Sequence, residues 1–190
     1  MALFGVGIAL LLAADLGAAP WDVFHTGVSD LTGIPVGTVI IITGLLLLLL
    51  WIPLRETPGL GTLLNAVEIG VVVDLVLPIL PEPDQLAVRI VMMLAGVGII
   101  AVGSGLYIGA GLGPGPRDGL MTGLARRGVS IRVARTGIEL TILAVGVVLG
   151  GAIGIGTAVF ALAIGPLVHH LLPRLTMHDP ATAQPVAEAA

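Results

Sequence analysis

The chain contains no cysteine and no lysine, and charged residues of either sign are scarce. The lack of cysteine excludes disulfides, thiolate metal sites and thiol nucleophiles. With lysine absent, all eight basic residues are arginine, and at a net charge of −4 they form no basic stripe of the kind nucleic acid requires. Charged residues make up 11% of the sequence, where soluble domains carry about a quarter. The N-terminus also lacks the basic run of a cleavable signal peptide. Met1 leads straight into Ala2–Leu12, so the first apolar stretch reads as structural. It is short before the polar break at Asp15, which suggests a missing leader or a start site placed too far downstream.

Apolar surface takes the place of charge. Hydrophobic residues make up 56% of the 190, and the mean hydropathy is +1.11. A soluble fold of that composition would expose large apolar patches and aggregate, so lipid is the solvent. At about 20 residues per crossing, a chain of this length accommodates roughly five to seven helical spans. The expected fold is an all-α membrane protein. Six apolar runs qualify as spans: Met1–Ala14, Ile34–Leu54, Leu60–Leu80, Leu86–Ile108, Val133–Leu149 and Ile155–Leu172. Prolines punctuate their ends, as at Pro53, Pro58, Pro81, Pro83 and Pro173. The Leu45–Leu50 run has no polar face at all, as in a span that lipid or protein surrounds. Two further segments, Pro20–Leu31 and Pro116–Arg127, open with proline after glycine or alanine. At 1.5 Å per residue, a helix of about a dozen residues covers only half a bilayer core, so both are expected as half-helices. From Thr176 to Ala190 the chain turns into a Pro/Ala/Thr tail without periodicity, expected to be disordered.

The two halves match each other. Leu16-Gly17-Ala18-Ala19-Pro20-Trp21-Asp22 corresponds to Leu112-Gly113-Pro114-Gly115-Pro116-Arg117-Asp118, and Thr26-Gly27 to Thr122-Gly123, at an offset of 96. Gly59-Leu60-Gly61-Thr62 then corresponds to Gly154-Ile155-Gly156-Thr157, Gly70 to Gly165 and Pro78 to Pro173, at an offset of 95. A nearly constant offset across separate Gly, Pro, Thr and Asp positions marks a repeat, with a first unit over 1–80 and a second over 86–175. If the half-helix does not cross, each unit crosses three times, and an odd number inverts the second unit relative to the first. The arginines agree. With the N-terminus inside, Arg55, Arg117, Arg126, Arg127, Arg132, Arg135 and Arg174 are cytoplasmic and only Arg89 is outside, the bias that the positive-inside rule requires. The expected topology therefore has both termini on the cytoplasmic side of a bacterial inner membrane. Inverted repeats with short or broken helices are a recurrent transporter design, with sites where the half-helix ends converge.

The run Gly115-Pro116-Arg117-Asp118-Gly119-Leu120, followed by Ser130-Ile131-Arg132, Arg135, Ile138-Glu139, Gly150-Gly151, Gly154-Ile155-Gly156-Thr157 and Gly165-Pro166, resembles the bacterial YczE/YyaS/YitT-type integral membrane proteins. Pro20-Trp21-Asp22-Val23-Phe24-His25 is similar to the first-half motif of that family. The resemblance covers Gly5 to Leu172 and implies a multi-spanning membrane protein with an inferred transport role, some members being associated with secondary-metabolite production. The short first span is the one departure.

Several polar residues are candidates for a site. Asp22 and Asp118 each follow a helix-opening proline. A carboxylate there partners free N–H groups and the positive dipole end, and it can equally hold a cation or a substrate amine. Arg117 stands where the first half has Trp21; it reads as an anion-attracting group at a helix start or as a topology determinant. Arg135 and Glu139 are spaced to pair along one helix face. Glu68 lies near the middle of Leu60–Leu80 with Asn65 one turn earlier, where a carboxylate must be neutral, paired or hydrated. It is expected to face the interior, either as a protonatable or cation-binding group or as a hydrogen-bonding acid. Asp74 is expected at the interface. His25, His169 and His170 have no acidic or thiol partner at ligand spacing, so no metal is expected. Gly119/Gly123 reads as close helix packing, and the glycines from Gly103 to Gly113 lack the flanking strand of a nucleotide loop. No cofactor is expected, and no Ser/His, His-rich or paired-Asp pattern has catalytic spacing.

These features point to a small-solute transporter or permease subunit with its site between two inverted repeats, built from Glu68, Asn65, Asp22, Asp118, Arg117, Glu139 and Arg135. The alternative is a non-transporting membrane scaffold or assembly factor for a partner enzyme, supported by the small-residue packing and the polar tail. The partners implied are the lipid bilayer, a small molecule or ion as substrate, and further copies of the chain in a homo-oligomer.

Overall fold

Backbone that lies in lipid has no water to bond, so each segment must close its own hydrogen bonds, and helices do this within a single segment. The computed structural model, which describes residues 1–111 and 113–175, follows that rule. Eight α-helices make up the regular structure of the described residues, with a single 3-10 turn and no strand: α1 (Ala2–Ala13), α2 (Pro20–Thr32), α3 (Val36–Leu54), α4 (Leu60–Val76), α5 (Leu86–Gly109), α6 (Pro116–Ala125), α7 (Ile131–Val148) and α8 (Ile155–Leu175). The 3-10 turn, Leu77–Ile79, extends α4. The tail expected from Thr176 to Ala190 lies outside the described residues.

Among the described residues, four helices are long and apolar enough to cross a membrane: α3, α4 with its 3-10 extension, α5 and α8. The sequence suggested six. The 12-residue α1 reaches only about 18 Å, well short of a core of about 30 Å. Meanwhile α7 carries Arg132, Arg135 and Glu139 within its 18 residues. The spans wear their greasy side outward. Leu45, Leu46, Leu49 and Leu50 of α3 are each about half exposed, a surface suited to lipid rather than water.

Proline and glycine set the ends. Pro20 and Pro116 open α2 and α6 at the first helical turn, where a missing N–H costs nothing. The Ser130 hydroxyl accepts the Val133 N–H at 3.3 Å to start α7. Arg89 at the start of α5 donates to the carbonyls of Ala14 and Asp15 and to the Asp15 carboxylate at 2.8 Å. That contact caps the last turn of α1 and accounts for an arginine that charge topology alone leaves isolated.

Helices α1 and α5 run antiparallel at the centre, with Gly7 against Ile100, Gly96 against Leu11 and Gly103 against Phe4. Ile8, Leu11, Ile69, Val73, Val97 and Ile100 form the core around them. The contacts recur at the offsets of the sequence repeat. Gly119 of α6 receives the Trp51 ring of α3, while Gly146 of α7 receives the Val23–Phe24 backbone of α2. Gly123 meets Leu54, and Gly27 meets Leu149. Gly113 and Gly17, at φ +110 and +101, lie against Thr62 and Thr157 respectively. In each pairing the two positions in one half answer the two in the other, and where one side is bulky its partner is glycine.

One packing does not recur. Helices α3 and α4 close on each other at Gly37 and Gly70, and Asp74 clamps the junction by accepting the Gly37 N–H at 2.6 Å and the Thr38 hydroxyl at 2.8 Å. The equivalent positions in α7 and α8 are Arg132, Gly165 and His169. No group lies within 4 Å of where a Cβ on Gly165 would stand, so α7 and α8 remain apart.

Candidate functional site

The first turns of α2 and α6 meet. The Arg117 guanidinium lies 4.9 Å from the centre of the Trp21 ring, a cation–π stack between two residues that occupy the same place in the two halves. Next to Trp21 on the same helix, Asp22 and His25 are almost wholly buried, each 1% exposed. His25 Nδ1 lies 3.4 Å from Asp22 Oδ1. A carboxylate only accepts, so the contact is a hydrogen bond when Nδ1 carries the hydrogen, and Nε2 is then left as a bare acceptor. Nε2 is buried with no hydrogen-bond partner among the described residues.

Two cavities flank this junction. The first, of about 20 Å³, lies between α2, α3, α4 and α6 and has His25, Thr43, Gly44, Asn65, Ala66 and Arg117 on its wall. It holds about one water. The second, of about 410 Å³, lies between α7 and α8 with Pro20 at its base, and Thr136, Glu139, Thr157 and Ala161 are on its wall. The two are counterparts under the repeat, since Gly44, Ala66 and Pro116 of the first correspond to Glu139, Ala161 and Pro20 of the second. The larger is an open cleft rather than an enclosed cavity, with Thr136, Leu140, Ile153 and Ala161 exposed along it.

The Arg117 guanidinium has no hydrogen bond or ion pair among the described residues, although it lies in the electrostatic field of Asp22, Asp118 and Glu139. Asp118 folds back to accept the Gly115 N–H at 3.3 Å, capping α6. It lies deep among protein atoms and is nevertheless exposed, as a side chain on the wall of a crevice is. Asp118 Oδ2, Tyr107 Oη and Asn65 Oδ1 all lie within 3.5 Å of where a Cβ on Gly115 would stand, so the glycine lets three polar groups converge. Arg135 and Glu139 pair at 3.2 Å, as their spacing suggests.

Three of the seven residues singled out in the sequence lie on a cavity wall. Asn65 and Arg117 line the smaller cavity, and Glu139, paired with Arg135, lines the larger. Asp22 and Asp118 lie behind Arg117. Glu68 is set apart: it is half-buried, lies on neither cavity wall and makes no hydrogen bond or ion pair among the described residues. Its neighbour Asn65 donates to Met1 Sδ at 3.7 Å. Residues that sequence reasoning passed over include His25, weighed there only as a metal ligand, along with Trp21 and Tyr107. The repeat itself held the signal for Trp21, because it placed Trp21 and Arg117 at equivalent positions.

A family model described as a family of unknown function (DUF6198) matches residues 1–173. The chain is 39% identical over 173 residues to the "uncharacterized membrane protein YczE" of Bacillus subtilis, covering 90% of this chain and 80% of that one. It is 36% identical over 173 residues to an uncharacterized protein of Haemophilus influenzae, covering 90% and 79%. It is 27% identical over 183 residues to the uncharacterized protein YyaS of Bacillus subtilis, covering 93% and 90%. No solved structure matches.

Proposed function

The chain belongs to the DUF6198 family, and on that premise we propose that this membrane protein is a small-solute carrier rather than an enzyme, built from two inverted repeats that expose a central site to the two sides of the membrane in turn. The observation that carries the reading is the pair of counterpart cavities, about 20 and about 410 Å³, with Arg117 on the wall of the first and Pro20, next to Trp21, on the wall of the second. A carrier with inverted repeats holds one half closed while the other is open. The closed junction of α3 with α4 and the gap between α7 and α8 fit that asymmetry. The antiparallel crossing of α1 with α5 supports inversion, since two helices related by a two-fold axis in the membrane plane run in opposite directions. Counting α1 and α7 as crossings brings the total to six. Both termini are then cytoplasmic, and the membrane is the inner membrane of a bacterium.

The solute fits the larger cavity, whose wall is mainly apolar with Glu139, Thr136 and Thr157 as its polar groups. The test uses purified protein in proteoliposomes with a panel of radiolabelled small organic solutes in counterflow. Flux of at least one solute, abolished by Ala161→Trp, which fills the cavity, is expected. No flux across the panel, with both cavities inaccessible to thiol reagents at Ala66→Cys and Ala161→Cys, would favour a non-transporting scaffold.

A further inference from the structure

We infer that His25 and Asp22 form a proton-binding site whose proton, taken at His25 Nε2 from the smaller cavity, controls where Arg117 rests. The inference rests on the carrier reading for its purpose and on separate observations for its chemistry.

His25 is 1% exposed, and its Nε2 has no partner among the described residues. The imidazole lines a cavity with room for about one water. A buried acceptor without a donor is costly, and a water delivering a proton satisfies it. Asp22 holds the Nδ1–H on the far side of the ring and stabilises the imidazolium that forms. The step balances simply: an N–H bond forms at Nε2 as an O–H bond of a hydronium ion in the cavity breaks, and a neutral water molecule is left behind.

The contact with Asp22 favours the same ligand. On its own helix His25 faces Asp22, and from α6 it faces Arg117 with Asp118 close by. Beyond them on α7 lies the Glu139–Arg135 pair. Helices α3 and α4 bring no charged group to the cavity wall. Asp22 is the carboxyl group in direct contact with the imidazole, and a proton on His25 would pair with it.

That proton would also set two cations against each other across a space the size of one water. Arg117 has no hydrogen bond among the described residues to hold it beside His25; Asp22, Asp118 and Glu139 all attract it, and of these Glu139 lies on the wall of the larger cavity. Protonation of His25 thus weakens the hold on Arg117 at Trp21, which is the link a proton-coupled carrier needs.

The test follows the His25 ring resonance by NMR in the full-length protein, ¹³C-labelled at histidine and held in lipid nanodiscs, with His25→Gln for assignment. His25 is expected to titrate reversibly between about pH 5 and 8. Asp22→Asn should lower its midpoint by about one pH unit or more, and Arg117→Gln should raise it, because each removes a charge of known sign. If Asp22→Asn fails to fold, Arg117→Gln alone decides. A His25 that stays neutral down to pH 5, or a midpoint unmoved by the variants that fold, overturns the inference. So does a midpoint that falls when sodium replaces choline at constant ionic strength, because the site would then take a metal cation. The titration needs no solute. Its failure leaves the carrier reading standing, and absence of flux leaves the proton site standing.

Discussion

Arg117 stacks on Trp21 at 4.9 Å, and each is the other's counterpart in the two halves of the chain. On the proposed inverted-repeat reading, a residue and its repeat equivalent touch only near the axis that relates the halves, so the first turns of α2 and α6 should converge there. In the cysteine-free background, Trp21→Cys with Arg117→Cys is expected to cross-link within one molecule with a short bifunctional thiol reagent. Thr32→Cys with Ala125→Cys, at the far ends of the same two helices, should not. Equal cross-linking of both pairs would contradict convergence of the first turns.

The half-helices are expected to lie towards opposite faces of the membrane. Val28→Cys and Ala125→Cys should therefore react with a membrane-impermeant maleimide from opposite sides. Labelling from the same side would remove the inversion.

Glycine carries the packing between each half-helix and the span beside it. A methyl group on Gly119 would stand inside the Trp51 ring, and one on Gly146 would strike the Val23–Phe24 backbone. Overpacking of this kind costs about 1–3 kcal/mol, so Gly119→Ala and Gly146→Ala should both lower the midpoint of thermal unfolding in detergent. Gly98, in the middle of α5, has open space where its Cβ would be. There the change to alanine should stabilise by about 0.5–1 kcal/mol through helix propensity. A destabilised Gly98→Ala beside a silent Gly119→Ala would show that the contacts are misassigned.

The sequence disclosed the helices well, because lipid forces apolar runs into helices and proline and glycine fall at their ends. The eight segments expected from Met1 to Leu172 all appear, most with ends shifted by no more than three residues. The count of crossings was less legible: four helices among the described residues are long and apolar enough to cross, and the other two candidates are α1, 12 residues long, and α7, with three charges. The site was legible wherever its residues lay at motif positions, as Asp22, Arg117 and Asp118 do. His25 was not, because its significance comes from an orphaned nitrogen and a cavity, and both are products of tertiary packing. Glu68 drew attention for its depth along a helix, but depth along an axis says nothing about the direction a side chain faces.

Glu68 supplies the sharpest contrast. Were an acid in the middle of a span the coupling group, Glu68→Gln would abolish pH-driven flux. In the structure Glu68 stands off both cavity walls without a polar partner among the described residues, while the buried Asp22–His25 pair touches the smaller one. Glu68→Gln is therefore expected to leave solute flux and its pH profile within about twofold of the parent, equivalent to about 0.4 kcal/mol. Asp22→Asn should instead shift the acid limb of that profile to lower pH by about one unit, because an imidazole without its carboxylate binds a proton less tightly. Initial rates of counterflow between pH 5 and 8, measured on proteoliposomes matched for protein content, separate the two. A profile flattened by Glu68→Gln and unmoved by Asp22→Asn would return the coupling role to the α4 carboxylate.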